Sequence, residues 1–228
     1  MQQFRLGGFS ILPPVIKNLL IINVLFFLAE EGLKKAFGID IVDLLGLHYV
    51  EASKFQIYQF VTYLFLHGGF SHLFFNMFAL WMFGATLENI WGAKKFLIFY
   101  MITGIGAGIT NQVVNYFEVQ NTLAQFPYAP TAEIQQFLNT FNTIGASGAV
   151  FGLLMAFGMM FPNNLIYLYF AIPVKAKWFV IGYGLIELFS GITNSSSNIA
   201  HFAHLGGMIF GFFILIYWKK KGKLFTSN

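Results

Sequence analysis

Long apolar stretches alternate with short polar punctuation along this chain, and the spacing of that punctuation predicts helices rather than strands. Six blocks lie between Pro, Gly or charged breaks, near 14–33, 70–90, 95–116, 146–161, 176–193 and 200–218. Runs of about 20 apolar residues carry an α-helix across roughly 30 Å of hydrocarbon, whereas a transmembrane barrel shows short alternating segments. The first block is the least clean: Lys17 must snorkel at one end and "EEGLKK" closes the other. The stretch "FPNNLIYLYFAIPVKAK" (161–177) is expected as a membrane-surface connector, because Pro162 and Pro173 oppose one continuous helix. The predicted class is an all-α polytopic membrane protein, a single domain over residues 1–228, with a short segment 1–13 before the first span and a basic tail 219–228.

Composition supports that solvent assignment. Hydrophobic residues make up 57% and charged residues 10%, against about 25% charged in soluble domains. The absence of cysteine excludes disulfides and thiolate chemistry. The opening "MQQFRLGGFSILPP" lacks the serial pattern of a cleavable signal, so the first apolar run is expected to remain as an anchor.

The net charge of +4 matters by position. Arg5, Lys17, Lys94, Lys95, Lys175, Lys177, Lys219, Lys220, Lys221 and Lys223 fall at the termini and even-numbered loops, while Lys34, Lys35 and Lys54 fall opposite with most of the acids. The positive-inside rule then places both termini in the cytoplasm. Two larger loops, roughly 34–69 and 117–145, face outward; neither is basic or regular enough to suggest nucleic-acid binding.

Against this apolar background, a few polar residues are conspicuous: His67, His72, Asn76, Ser147, Glu187, His201 and His204. Polar groups inside a membrane are costly, which makes function the default hypothesis and interhelical hydrogen bonding the alternative. His72 and Asn76 are four residues apart and share one helix face; His67 lies just above them. Ser147 opens the fourth block in "NTIGASGAVFG", with Gly145 and Gly148 around it and Phe151 one turn later. By itself this serine is as well read as a helix cap or a small packing residue, and G-x-S-G differs from the hydrolase elbow G-x-S-x-G.

The sixth block shifts that balance. His204 is followed by Gly207 and Gly211, and the fourth block offers Gly148 and Gly152 at the same spacing. Two such faces permit close helix approach, with Ser147 and His204 at comparable depth below the outer surface, so a nucleophile and base become geometrically plausible. A helix start at Ser147 would also gather unpaired N–H groups where an oxyanion develops, and His72 and Asn76 can donate to the same place. His201, three residues before His204, is the competing base; the glycines at +3 and +7 favour His204, leaving His201 as a supporting or capping residue.

"HGGFSHLFFN", "GASGAVFG" and "AHLGGMIFG", in that order, resemble the rhomboid family of intramembrane serine proteases, over about residues 10 to 218. The resemblance implies a six-transmembrane-helix rhomboid-like bundle of the bacterial core form, in the plasma membrane, with its active site opening to the outer side. It implies a Ser–His dyad of Ser147 and His204, and an oxyanion site formed by the Ser147 N–H, His72 and Asn76. It implies no metal, no cofactor and no acidic third member, so Glu187 is read as a structural contact. Phe151 stands where many members have Tyr, and Tyr58–Gln59 where many have a Trp-Arg pair; the second departure bears on loop anchoring and substrate access. The implied partners are transmembrane protein substrates within the lipid bilayer. His67, His72, Asn76, His201 and the loop 190–198 are expected to line a wet cavity that supplies water. The rival readings are a non-catalytic rhomboid-like protein that binds membrane clients, a metalloprotease, which would need an H-E-x-x-H pair that the chain lacks, and a transporter, which would show repeats.

Overall fold

The computed structural model describes residues 9–168, 171–193 and 200–226. Helix α1 (Pro14–Phe37) begins at Pro13–Pro14, where the missing N–H is harmless, and stops at Gly38 in the left-handed region (φ 68), with Lys34 and Lys35 in its last turn. Its first-turn amides of Val15 and Ile16 donate to the Glu88 carboxylate at 2.9 and 2.8 Å. Glu88 belongs to α4 (Phe70–Trp91) and is buried, so the orphan amides of one helix satisfy an acid of another. Gly92 (φ 76) alone separates α4 from α5 (Ala93–Leu123).

Between α1 and α4 the chain forms α2 (Ile41–Leu45), β1 (Leu47–His48), α3 (Gln59–Thr62) and a 3₁₀ turn (Tyr63–Phe65). After α5 come α6 (Thr131–Leu138), β2 (Asn142–Thr143), α7 (Ser147–Met160), β3 (Leu165–Leu168), β4 (Ile172–Lys175), α8 (Ala176–Thr193) and α9 (His201–Lys220). The helices coincide with the six apolar blocks to within a few residues, except that α5 runs seven residues beyond its block. Among the described residues three of them, α4, α5 and α9, are long and apolar enough to cross a membrane. The protein is therefore mostly helical and polytopic.

The all-α expectation needs one correction. Two short antiparallel ladders occur in the connectors: β1 with β2, pairing Leu47 with Thr143 and His48 with Asn142, and the hairpin of β3 with β4. Connecting backbone must still pair its N–H and C=O groups, and a ladder does so where the helices end. In the second ladder Pro173 lies opposite Tyr167, on a two-stranded edge that tolerates the missing donor.

Helix α7 touches α4, α5, α8 and α9. Its glycines set those distances. A Cβ on Gly207 of α9 would overlap the Gly148 carbonyl, and one on Gly211 would lie 3.2 Å from the Gly152 carbonyl oxygen. The two small-residue faces expected from sequence do pack on each other.

Loop 34–69 is anchored by Gln59, which stands where the Trp-Arg pair was missed. Its buried amide accepts from the His48 and Gln56 N–H groups (3.3 and 3.1 Å) and donates to the Leu44 and Lys54 carbonyls (3.2 and 3.0 Å). The neighbouring Tyr58 hydroxyl donates to the Leu44 carbonyl at 3.3 Å. One side chain ties three segments of the loop together, so the loop is anchored without a Trp-Arg pair.

Candidate active site

Ser147 is the first residue of α7, preceded by Ala146 at the cap position. The cap reading of the serine therefore falls away, and its hydroxyl points elsewhere. Ser147 Oγ and His204 Nε2 are 2.7 Å apart, joining α7 to α9. Phe151, one turn below the serine, stacks on the His204 ring with centroids 4.3 Å apart and planes 5° apart. Tyr183 of α8 also lies against Phe151, with ring centroids 5.2 Å apart. A planar stack fixes the imidazole's rotation while leaving both nitrogens on its edge.

The second nitrogen of that ring has a partner the sequence did not lead us to expect. His204 Nδ1 and Glu187 Oε2 are 3.0 Å apart, and His201 Nδ1 meets the same oxygen at 2.7 Å. Glu187, expected as a structural contact, makes that contact to both histidines, and its carboxylate sits directly behind the candidate base. A lone acid in an apolar block was the available signal, but a separation of 17 residues across a helix junction has no periodicity to reveal the contact. The His201 ring reaches the carboxylate rather than the serine. Glu187, His201 and His204 also form a set of donors whose atoms lie within 4.8 Å of one another, the one place among the described residues where metal-ligating groups gather.

His72 and Asn76 face the same space from α4. The Gly68 N–H donates to His72 Nδ1 at 3.3 Å, which leaves the His72 proton on Nε2. Asn76 uses one amide proton on the His72 carbonyl of its own helix, at 2.9 Å, and keeps a second. Gly145 locates the meeting point. Its φ of 123° lies in the region that favours glycine, and a Cβ built there would fall 3.0 Å from His72 Nε2 and 3.7 Å from Ser147 Oγ. The missing side chain of Gly145 thus leaves open a spot within reach of both serine and donor, the size of one reacting atom.

These groups line a cavity of about 1450 Å³ that includes His72, Asn76, Ser147, His201 and His204. His67 does not line it. That ring is fully buried, packs edge-on against His72 with centroids 5.1 Å apart, and has no hydrogen-bond partner on either nitrogen among the described residues. Burial, with the neighbouring His72 adding to it, pushes its pKa down to about 4. The expected loop 190–198 lines the cavity at Gly191, while residues 194–198 lie outside the described residues. Sequence reasoning also passed over the polar face of α5. Asn111, Asn115 and Glu118 line the same cavity, and their spacing of four and three residues was a readable helical signal.

Residues 54–221 match the Rhomboid domain family. The chain belongs to the rhomboid family. The match begins after α1, later than the residue 10 expected from the motifs. Among relatives, the chain is 31% identical over 160 residues to "Rhomboid protease GluP" of Bacillus subtilis, covering 68% of this chain and 25% of that one. It is 30% identical over 165 residues to "Rhomboid protease AarA" of Providencia stuartii, covering 66% and 52%. It is 30% identical over 148 residues to "Rhomboid protein 1, mitochondrial" of Saccharomyces cerevisiae, covering 64% and 38%. This rhomboid chain thus aligns with a quarter to about half of these relatives' length.

Proposed function

We propose that this rhomboid protein is an intramembrane serine endopeptidase that cleaves transmembrane segments of other membrane proteins. The observation that carries the reading is the 2.7 Å contact between Ser147 Oγ and His204 Nε2, with the imidazole held flat on Phe151. Ser147 is the nucleophile and His204 the general base. The Ser147 N–H, His72 Nε2 and the second amide proton of Asn76 stabilise the oxyanion.

In acylation the Ser147 hydroxyl gives its proton to His204 Nε2 as Oγ attacks the scissile carbonyl. The carbonyl oxygen takes up the negative charge in the space beside Gly145. The imidazolium then protonates the departing amine, the C–N bond breaks, and an ester remains on Ser147. A cavity water, deprotonated by His204, cleaves that ester and returns the hydroxyl. Substrate backbone must leave its helix first, since a helical carbonyl is already engaged by an amide four residues on.

In this reading the chain is one rhomboid domain with six spans, residues 1–228, in the plasma membrane of a bacterium. Both termini, including the tail from Lys219, lie in the cytoplasm, and the cavity opens outward. Helix α7, with 14 residues, is about 21 Å long, less than the roughly 30 Å of hydrocarbon. Its first residue is then recessed below the outer surface, where a cavity is needed to bring water to Ser147.

The test is cleavage of a transmembrane test substrate in proteoliposomes by wild type, Ser147→Ala and His204→Ala, with fluorophosphonate labelling in parallel. Wild-type cleavage and labelling, lost in both variants, supports the reading. Cleavage that survives Ser147→Ala overturns it, and a folded wild type that neither cuts nor labels favours the client-binding alternative.

A further inference from the structure

One buried charge beside the candidate base has no part in the steps above. Glu187 is 7% exposed on α8, among apolar neighbours, and an unpaired carboxylate there would be strongly destabilising. Among the described residues its hydrogen-bond partners are two imidazoles, and both reach the same oxygen through Nδ1, at 2.7 Å from His201 and 3.0 Å from His204. A carboxylate only accepts, so each Nδ1 must carry a proton. That fixes His204 as the tautomer whose Nε2 holds a lone pair, the form able to take the Ser147 proton at 2.7 Å.

We infer that Glu187 is a positioning residue for this rhomboid's reaction, turning the Ser147–His204 pair into a Ser–His–Glu relay in which His201 pins the carboxylate. The inference rests on the protease reading above. Without an acid behind it, a neutral imidazole divides between two tautomers, one of which presents N–H to the serine and cannot act as base. With Glu187 present, that second tautomer would set its Nδ1 lone pair against a carboxylate. The carboxylate also opposes the positive charge that appears on His204 when Oγ attacks; the proton stays on the imidazole throughout.

The local fold is built to allow the contact. A Cβ on Gly191 would lie 2.9 Å from Phe202 and 3.3 Å from the Cβ of His201, so the end of α8 is pressed against the start of α9. Glu187, one turn earlier, can then reach both histidines. Phe151 prevents the ring from turning away. The other titratable groups around His204 are His72 from α4, Glu118 from α5 across the cavity, and Tyr183 from α8; α7 contributes none. Among these, Glu187 is the acid in contact with the ring.

The same donors suggest a divalent cation, but a cation on both Nδ1 atoms would displace their protons and force one onto His204 Nε2. It would silence the serine rather than activate it. A chelator is therefore expected to leave turnover intact or raise it, whereas its abolition by chelator overturns the relay.

The experiment uses the full chain in proteoliposomes. Glu187→Gln is expected to lower kcat by about 10²-fold or more and to move the acid limb of the kcat–pH profile to lower pH, since the imidazolium has lost its counter-charge. His201→Gln keeps an N–H donor and should lose less than His201→Leu. A residue that only supports folding would lower the yield or the unfolding temperature and leave the acid limb in place. Folded Glu187→Gln with kcat within threefold of wild type and an unmoved limb overturns the inference. If the variant does not fold, ¹⁵N NMR of wild-type His204 decides: a protonated Nδ1 supports the relay, and a neutral ring protonated on Nε2 refutes it. That readout needs no turnover, so a failure of the protease reading and a failure of the relay are told apart.

Discussion

Replacing Gly207 by alanine is the sharpest test of how packing makes the site. The added methyl would overlap the Gly148 carbonyl, which belongs to the turn that carries Ser147. To restore ordinary van der Waals separation, α9 and α7 must part by an estimated 1 Å or more. His204 lies one turn before Gly207, so most of that displacement is passed to its ring. A contact of 2.7 Å would open to about 3.7 Å, beyond any useful hydrogen bond. Overpacking of this kind costs about 1–3 kcal/mol of stability, and a misplacement of about 1 Å costs on the order of 10²-fold in rate. Two glycines calibrate the effect. Gly182 on α8 has nothing within 4 Å of a built Cβ, while Gly211 meets backbone of Gly152 at 3.2 and 3.3 Å. Fluorophosphonate labelling rate and thermal unfolding in detergent should therefore fall in the order Gly182→Ala, Gly211→Ala, Gly207→Ala, the first matching wild type. Folded Gly207→Ala that labels within threefold of wild type would refute the claim that glycine packing sets the serine–histidine distance.

Other changes probe separate parts of the molecule. Gln59→Leu strands the His48 and Gln56 amides and the Lys54 carbonyl in the first outer loop, for a loss on the order of 1–3 kcal/mol in unfolding experiments, with the loop opening to protease before the helices do. Gly145→Ala puts a methyl 2.9 Å from the His72 ring, in a backbone region alanine avoids, and should abolish labelling while costing about 1–3 kcal/mol. His67 is held neutral with a pKa near 4 against an ordinary 6.5. The unfolded chain then binds the extra proton first, so stability is full above pH 6.5 and declines toward pH 4 by about 3 kcal/mol. His67→Phe should flatten that decline; an unchanged acid profile would mean another group is responsible.

The helix positions were legible in the sequence because each helix in lipid must be apolar along its own length, a local property that survives without any partner. Pro162 and Pro173 marked a break for an equally local reason of backbone geometry. The candidate pair was legible too, since Gly148 and Gly152 match Gly207 and Gly211 in spacing and small residues tell where helices can meet. What covers Oε2 of Glu187, or what Gln59 holds, depends on which elements converge from distant parts of the chain. Hydrogen bonds of that kind leave no period in the sequence, because their partners are set by the junction of α8 with α9 and by the folding back of loop 34–69. Composition and periodicity determined a helical membrane protein and marked a serine and a histidine as a candidate pair. Tertiary packing alone decided that an acid stands behind the histidine, because a buried charge is satisfied by geometry in space and not by neighbours in sequence.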